Sequence, residues 1–177
     1  YNGHIVGATF VELKAADKVL VFSGDIGRKE DPLLFPPQKP EKADVVFIES
    51  TYGGRLHPAN PEIRLAEIIQ HAAKKNGTII IPVFAVERAQ LMMFYLWKLK
   101  NEHLIPDVPI YLDSPMGQEV VQVFGKHPSW HKLSPSESKQ IQREIKVINK
   151  QEETEKLAAS NQSKIILAAS GMATGGR

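Results

Sequence analysis

The sequence predicts an α/β fold, a doubly wound and mostly parallel sheet preceded by a short antiparallel piece. Three observations carry that prediction. From Ala43 onward, short β-branched and apolar runs alternate with segments of helical periodicity. Upstream of that point, two apolar runs flank a loop of hairpin length. Between the two regions lies a proline-rich stretch that no regular element tolerates. Strand–helix–strand connections of this kind are right-handed and place chemistry at the carboxyl ends of the strands.

In chain order, Ile5–Leu13 and Lys18–Phe22 are expected to pair around Lys14-Ala15-Ala16-Asp17. Asp31–Lys42, with Pro32, Pro36, Pro37 and Pro40, reads as a linker. Ala43–Ile48 reads as the first buried strand of the parallel sheet, interrupted only by Asp44. Asn60 and Pro61 supply the cap and first-turn proline of a helix with Leu65, Ile68, Ile69 and Ala72 on one face, and Gly77 ends it. Thr78–Phe84 is the next strand, followed over Val86–Lys100 by a helix with Ala89, Met92, Met93, Leu96 and Leu99 at helical spacing. Pro109–Leu112, Glu144–Ile148 and Lys164–Ala169 are expected strands; Gly117–Lys126, Ser134–Arg143 and Glu152–Ser160 are expected helices.

Composition narrows the classes. The 177 residues are 42% hydrophobic and 24% charged, with 22 basic against 20 acidic groups, which suits one compact domain or one and a fraction. Ordinary glycine and proline numbers exclude collagen-like and disordered chains, and no apolar run approaches the roughly 20 residues of a membrane span. The absence of cysteine removes disulfides, iron–sulfur clusters and thiolate zinc sites, so any metal must be held by His, Asp or Glu. It also points to a cytoplasmic location. The net charge of +2 carries no separate signal for nucleic acid. The start at Tyr1 without methionine and the end at Arg177 straight after a strand are expected of an internal fragment.

Several residues at the strand ends bear chemistry. Ser170–Gly176 is either an anion-cradling loop or a turn that needs its glycines, and it lacks the lysine of a P-loop. Arg88 stands near a helix start, where a cation opposes the dipole by about 0.3–1 kcal/mol, so it calls for a carboxylate such as Glu87 or Glu49, or for a bound phosphate. Glu49 ends an apolar strand and needs a partner such as a histidine or an arginine. Asp25, in a Ser-Gly-Asp turn, is a turn residue or a metal ligand. His4, His57, His71 and His103 stand alone, and Pro128 separates His127 from His131, so no self-sufficient metal motif is evident.

Taken in order, five segments resemble the metallo-β-lactamase-fold nucleases of the β-CASP family. They are Gly3-His4; Ser23-Gly24-Asp25 with Arg28; Glu49-Ser50-Thr51-Tyr52-Gly53; Pro82-Val83-Phe84-Ala85 with Arg88-Ala89-Gln90; and Ala169-Ser170-Gly171-Met172. That family includes the cleavage and polyadenylation endonuclease and bacterial and archaeal ribonucleases. The resemblance covers essentially the whole chain. It implies that residues 1–42 are the C-terminal part of a first metallo-β-lactamase segment with a linker, and residues 43–177 a nearly complete β-CASP domain.

The activity it implies is zinc-dependent RNA processing, with phosphodiester hydrolysis by a metal-bound hydroxide at a two-zinc centre. Under the resemblance His4 is a zinc ligand, Asp25 bridges the two ions and is counted as catalytic, and Glu49 orients a catalytic histidine. Arg88, Ser114, Ser170 and Gly171 become contacts to RNA phosphates. The implied partner is single-stranded RNA, with no membrane and with room for a homo-oligomer. The family's His-x-His-x-Asp-His segment and its two later histidines have no counterpart in these residues. With two ligands, the chain alone is expected to be inactive and to bind zinc weakly. A non-catalytic scaffold subunit is the alternative, disfavoured by the joint presence of His4, Asp25 and Glu49. A small-substrate hydrolase is disfavoured by the inserted domain.

Overall fold

A computed structural model describes residues 1–56 and 60–168. Within them the chain forms two compact units, a smaller one of residues 1–56 with 127–132 and a larger one of residues 60–126 with 133–168.

The smaller unit is built on β1 (Val11–Ala15), β2 (Lys18–Phe22) and β3 (Val45–Phe47). β1 and β2 are antiparallel, with Val11 opposite Phe22, and β2 and β3 are parallel, with Leu20 beside Val45. Side chains alternate along a strand, so Val11, Leu13, Leu20, Phe22, Val45 and Phe47 share one face, where the Phe22 and Phe47 rings stack at 4.6 Å. β1 starts later than expected. Residues 5–8 form a turn, with Ala8 N–H donating to Ile5 O at 3.1 Å and Gly7 at φ +82.

The structure corrects two expectations here. The 43–48 run does not head the parallel sheet; it pairs with β2, and Asp44 Oδ2 accepts the Val19 N–H at 2.7 Å. The division between the units therefore falls in the fifties and not between 42 and 43. The physical reason is that a short apolar run specifies a strand but not its neighbour. The proline-rich stretch is also packed rather than loose. Asp31 Oδ1 accepts the N–H groups of Leu33 and Leu34 at 2.8 and 2.9 Å, and both leucines are fully buried. Lys132 joins them, its N–H donating to Leu33 O and its Nζ to Asp31 O, each at 2.7 Å.

The larger unit runs α1 (Pro61–Ala73), β4 (Thr78–Pro82), α2 (Arg88–Asn101), β5 (Ile110–Asp113), α3 (Pro115–Lys126), α4 (Pro135–Glu144), β6 (Ile145–Ile148), α5 (Gln151–Ala159) and β7 (Lys164–Ala168). A 3-10 turn, Pro128–Trp130, interrupts it between α3 and α4. All neighbouring strands are parallel, in the order β4-β7-β5-β6. The last strand thus returns over β5 to fill the slot beside β4, which makes β5 and β7 central. Residues Ile110, Leu112, Ile165 and Leu167 pack with α1, α2 and α4 on one face. On the other, Tyr111, Ile148 and Ile166 pack with Leu157 of α5. Helices on both faces are the doubly wound arrangement that the alternating pattern predicts. α4 opens on a capping box between Ser134 and Glu137. Among the described residues no helix is long and apolar enough to cross a membrane.

Candidate functional site

The smaller unit gathers three of the predicted residues by backbone packing. Asn2 is buried; its Nδ2 donates to Thr9 O at 3.2 Å and Ser23 O at 3.1 Å, while its Oδ1 accepts the His4 N–H at 3.3 Å. Gly27 N–H donates to Asn2 O at 2.8 Å. The two segments touch so closely that a Cβ on Gly27 would lie 1.8 Å from Gly3 O. The Asn2–His4 strap and the Ser23–Gly27 turn are thereby fixed to each other, and His4 Nε2 comes to 3.8 Å from Asp25 Oδ2. Asp25 remains largely open, its side chain 75% exposed against 37% for His4.

Glu49 ties the next loop to the same turn. Its Oε1 accepts the Ile26 N–H at 3.1 Å and its Oε2 the Thr51 N–H at 2.9 Å, while Ser23 Oγ accepts the Glu49 N–H at 3.0 Å. The Thr51 N–H first, and the Ile26 N–H next, hold the carboxyl below its ordinary value of 4.5, and the His4 charge adds to them. A carboxylate with a depressed pKa contributes stability above the unfolded value and loses it as pH falls through the folded one. The amide resonances of Ile26 and Thr51 are therefore expected to stay flat across neutral pH and to move together as pH falls below 4.5. Glu49→Gln should remove that shared movement; separate titrations at neutral pH would contradict the clip. Beyond it, Arg55 lies over the Tyr52 ring at 5.1 Å, a pair that no spacing signalled.

The larger unit holds the remaining predicted residues. Arg88 is exposed at the first position of α2 and makes no ion pair with Glu87, so the expected partnership within this unit does not form. Gln90 Nε2 closes the preceding loop onto Ala85 O at 3.1 Å. Ser114 corrects an expectation. It is 1% exposed and its Oγ accepts the Gly117 N–H at 2.9 Å, so it caps α3 from inside and presents no hydroxyl to a phosphate. Ser170 and Gly171 lie outside the described residues.

The structure thus brings His4, Asp25 and Glu49 together and leaves Arg88 and Ser114 in the other unit. His4 and Asp25 suit a metal as a nitrogen and oxygen donor pair, yet zinc takes three or four protein ligands. Among the described residues no third acidic, histidine or cysteine side chain completes a metal-holding group with them; the Glu49 oxygens are taken by the Ile26 and Thr51 N–H groups. Sequence reasoning missed Asn2 and Gly27, which set the His4–Asp25 spacing. An Asn-Gly pair ahead of a histidine and a second glycine after the aspartate were the available signals.

Comparison with known proteins adds an independent finding. The family model described as the Beta-Casp domain matches residues 89–177. A ribonuclease of Thermus thermophilus is 35% identical over 99% of this chain and 42% of its own length. An RNase J-like protein of Methanocaldococcus jannaschii is 32% identical over 99% of this chain and 43% of its own. An endoribonuclease of Schizosaccharomyces pombe is 35% identical over 70% of this chain and 17% of its own. The chain accordingly spans less than half the length of these relatives.

Proposed function

This chain belongs to the β-CASP family of metallo-β-lactamase-fold nucleases, and from that premise we propose that it is part of a zinc-dependent ribonuclease that hydrolyses phosphodiester bonds in single-stranded RNA. The observation that carries the reading is the His4–Asp25 donor pair at 3.8 Å, fixed by Glu49 and Asn2 within one loop cluster. Relatives that bear the names ribonuclease, endoribonuclease and RNase J-like protein support the RNA substrate.

In this proposal His4 Nε2 and Asp25 Oδ2 would take part in holding zinc, His4 as the nitrogen donor and Asp25 as the carboxylate donor. When bound, zinc supplies the Lewis acidity that makes a water molecule nucleophilic near neutral pH. Glu49 acts as a positioning residue, since its two oxygens hold the Asp25 turn and the Thr51 loop in register. Arg88, exposed at the start of α2, is the phosphate contact that the larger unit offers. The larger unit corresponds to the β-CASP domain and the small sheet with its loops to a strip of the metallo-β-lactamase domain. The cysteine-free composition is in keeping with a cytoplasmic location, which belongs to this proposal.

The test is cleavage of labelled single-stranded RNA by a protein that carries this chain at the relatives' full length. Chelation should abolish cleavage and zinc restore it, and Asp25→Asn should lower the rate by about a hundredfold or more. The 177-residue chain alone is expected to cut negligibly. Cleavage that survives chelation, or a fully active Asp25→Asn variant, would sink the proposal.

A further inference from the structure

The smaller unit contains a cavity of about 450 Å³ whose lining includes none of His4, Asp25 and Glu49. Gly7, Thr9, Phe35, Gln38, Ser129 and Trp130 contribute to its wall. We propose that it binds one unpaired base of a single-stranded RNA, an assignment that rests on the ribonuclease reading above.

The walls are held by contacts that do not depend on a ligand. Asn2 Nδ2 holds Thr9 O, and Gln38 N–H donates to Tyr1 O at 3.0 Å. Lys132 pins the Trp130 segment onto the buried Leu33–Leu34 pair through Leu33 O and Asp31 O. Trp130 N–H donates to His127 O, and the His127 and Trp130 rings stack at 4.1 Å and 13°. The indole is therefore fixed before anything binds. Gly7, at φ +82, lies against its edge, where a Cβ would sit 3.5 Å from Trp130 Cζ3.

The chemistry of the lining selects the ligand. Phe35 and Trp130 border the cavity and remain 41% and 42% exposed, which leaves ring surface on which a base can stack. Thr9 and Ser129 supply hydroxyls and Gln38 a side-chain amide. Such groups read the edges of a planar heterocycle. Among the described residues no Lys, Arg, Asp or Glu side chain lines the cavity, which favours the neutral base over its phosphate. The volume lies in the range of small-ligand pockets, roughly 300–1,000 Å³, and suits one nucleoside.

The test uses uncharged nucleosides, adenosine and uridine, titrated into the protein while tryptophan fluorescence is followed. Trp97 is the one other tryptophan and packs against the larger unit's core, so Trp130→Phe separates the two signals. Quenching that saturates, is unchanged by salt and vanishes in Trp130→Phe is the expected result. Phe35→Ala should weaken binding roughly tenfold or more. Gln38→Ala, which leaves the aromatic walls in place, should alter the preference between the two nucleosides.

Absence of any quench up to the nucleosides' solubility, or a quench that Phe35→Ala leaves unchanged while its thermal midpoint stays that of the parent, would overturn the pocket. The two proposals fail separately. RNA cleavage without nucleoside binding removes the pocket alone, and nucleoside binding without cleavage at the relatives' full length removes the ribonuclease reading alone.

Discussion

Leu167→Ala is expected to lower stability by about 3–5 kcal/mol, the upper part of the range for a leucine truncated in a core that cannot close. Leu167 is fully buried in β7, flanked in register by Ile81 of β4 and Leu112 of β5. It packs in the cluster that includes Ile69 of α1 and Leu96 of α2. Backbone hydrogen bonds on both sides hold β7 at fixed spacing, so the sheet cannot collapse into the space that three heavy atoms leave. Urea unfolding should show a lower midpoint with an unchanged slope. Ile80→Ala is the contrast, since Ile80 lies on the edge strand β4 and is 63% exposed; it should cost about 0.5 kcal/mol or less. Equal losses at the two positions would contradict the central place of β7.

Gly27→Ala carries the second large effect, and it acts on the candidate site. The added methyl would meet backbone atoms, Gly3 O at 1.8 Å, Gly3 C at 2.0 Å and His4 N at 2.7 Å. No rotamer change relieves a clash with main chain, so the Asn2–His4 strap must move away from the Ser23–Gly27 turn. We expect a loss of about 3 kcal/mol or more, at or above the usual ceiling for overpacking. Loss of the Gly27 N–H bond to Asn2 O and of the His4–Asp25 proximity should accompany it. A lowered thermal midpoint together with a displaced His4 imidazole resonance would report both. Gly54→Ala is the control, because a Cβ there meets nothing within 4 Å and its backbone is not left-handed. It should be neutral or stabilising by a few tenths of a kcal/mol. A tolerated Gly27→Ala with an unmoved His4 would mean that the strap and the turn are not in contact.

Much of the larger unit was legible in the sequence. The spacing of Ala89, Met93, Leu96 and Leu99 marks α2, and the continuous apolar runs at 110–112 and 165–168 mark strands buried on both faces. The small sheet was half legible. The hairpin register follows from the Ala15–Lys18 turn, whereas β3, at three residues, pairs with β2 for reasons that lie in the Asp44–Val19 bond and in the Phe22–Phe47 stack. At the site, His4, Asp25 and Glu49 were nameable from motif order. Their spacing was not, because Asn2 and Gly27 set it through main-chain contacts that no residue pattern displays. Ser114 failed as a phosphate contact for the same reason, since a serine after a strand reads alike whether its hydroxyl faces outward or caps the next helix.

By itself the sequence determined which stretches become strands and helices, which faces of them are apolar, and which residue types stand at the strand ends. Those properties depend on neighbours a few positions apart. Only the tertiary structure decided that β7 enters between β4 and β5, that β3 belongs to the small sheet, and that His4 stands opposite Asp25. Each of these joins residues distant in the chain, and the free energy that selects them comes from shared burial and backbone hydrogen bonds that form only after the chain has closed on itself.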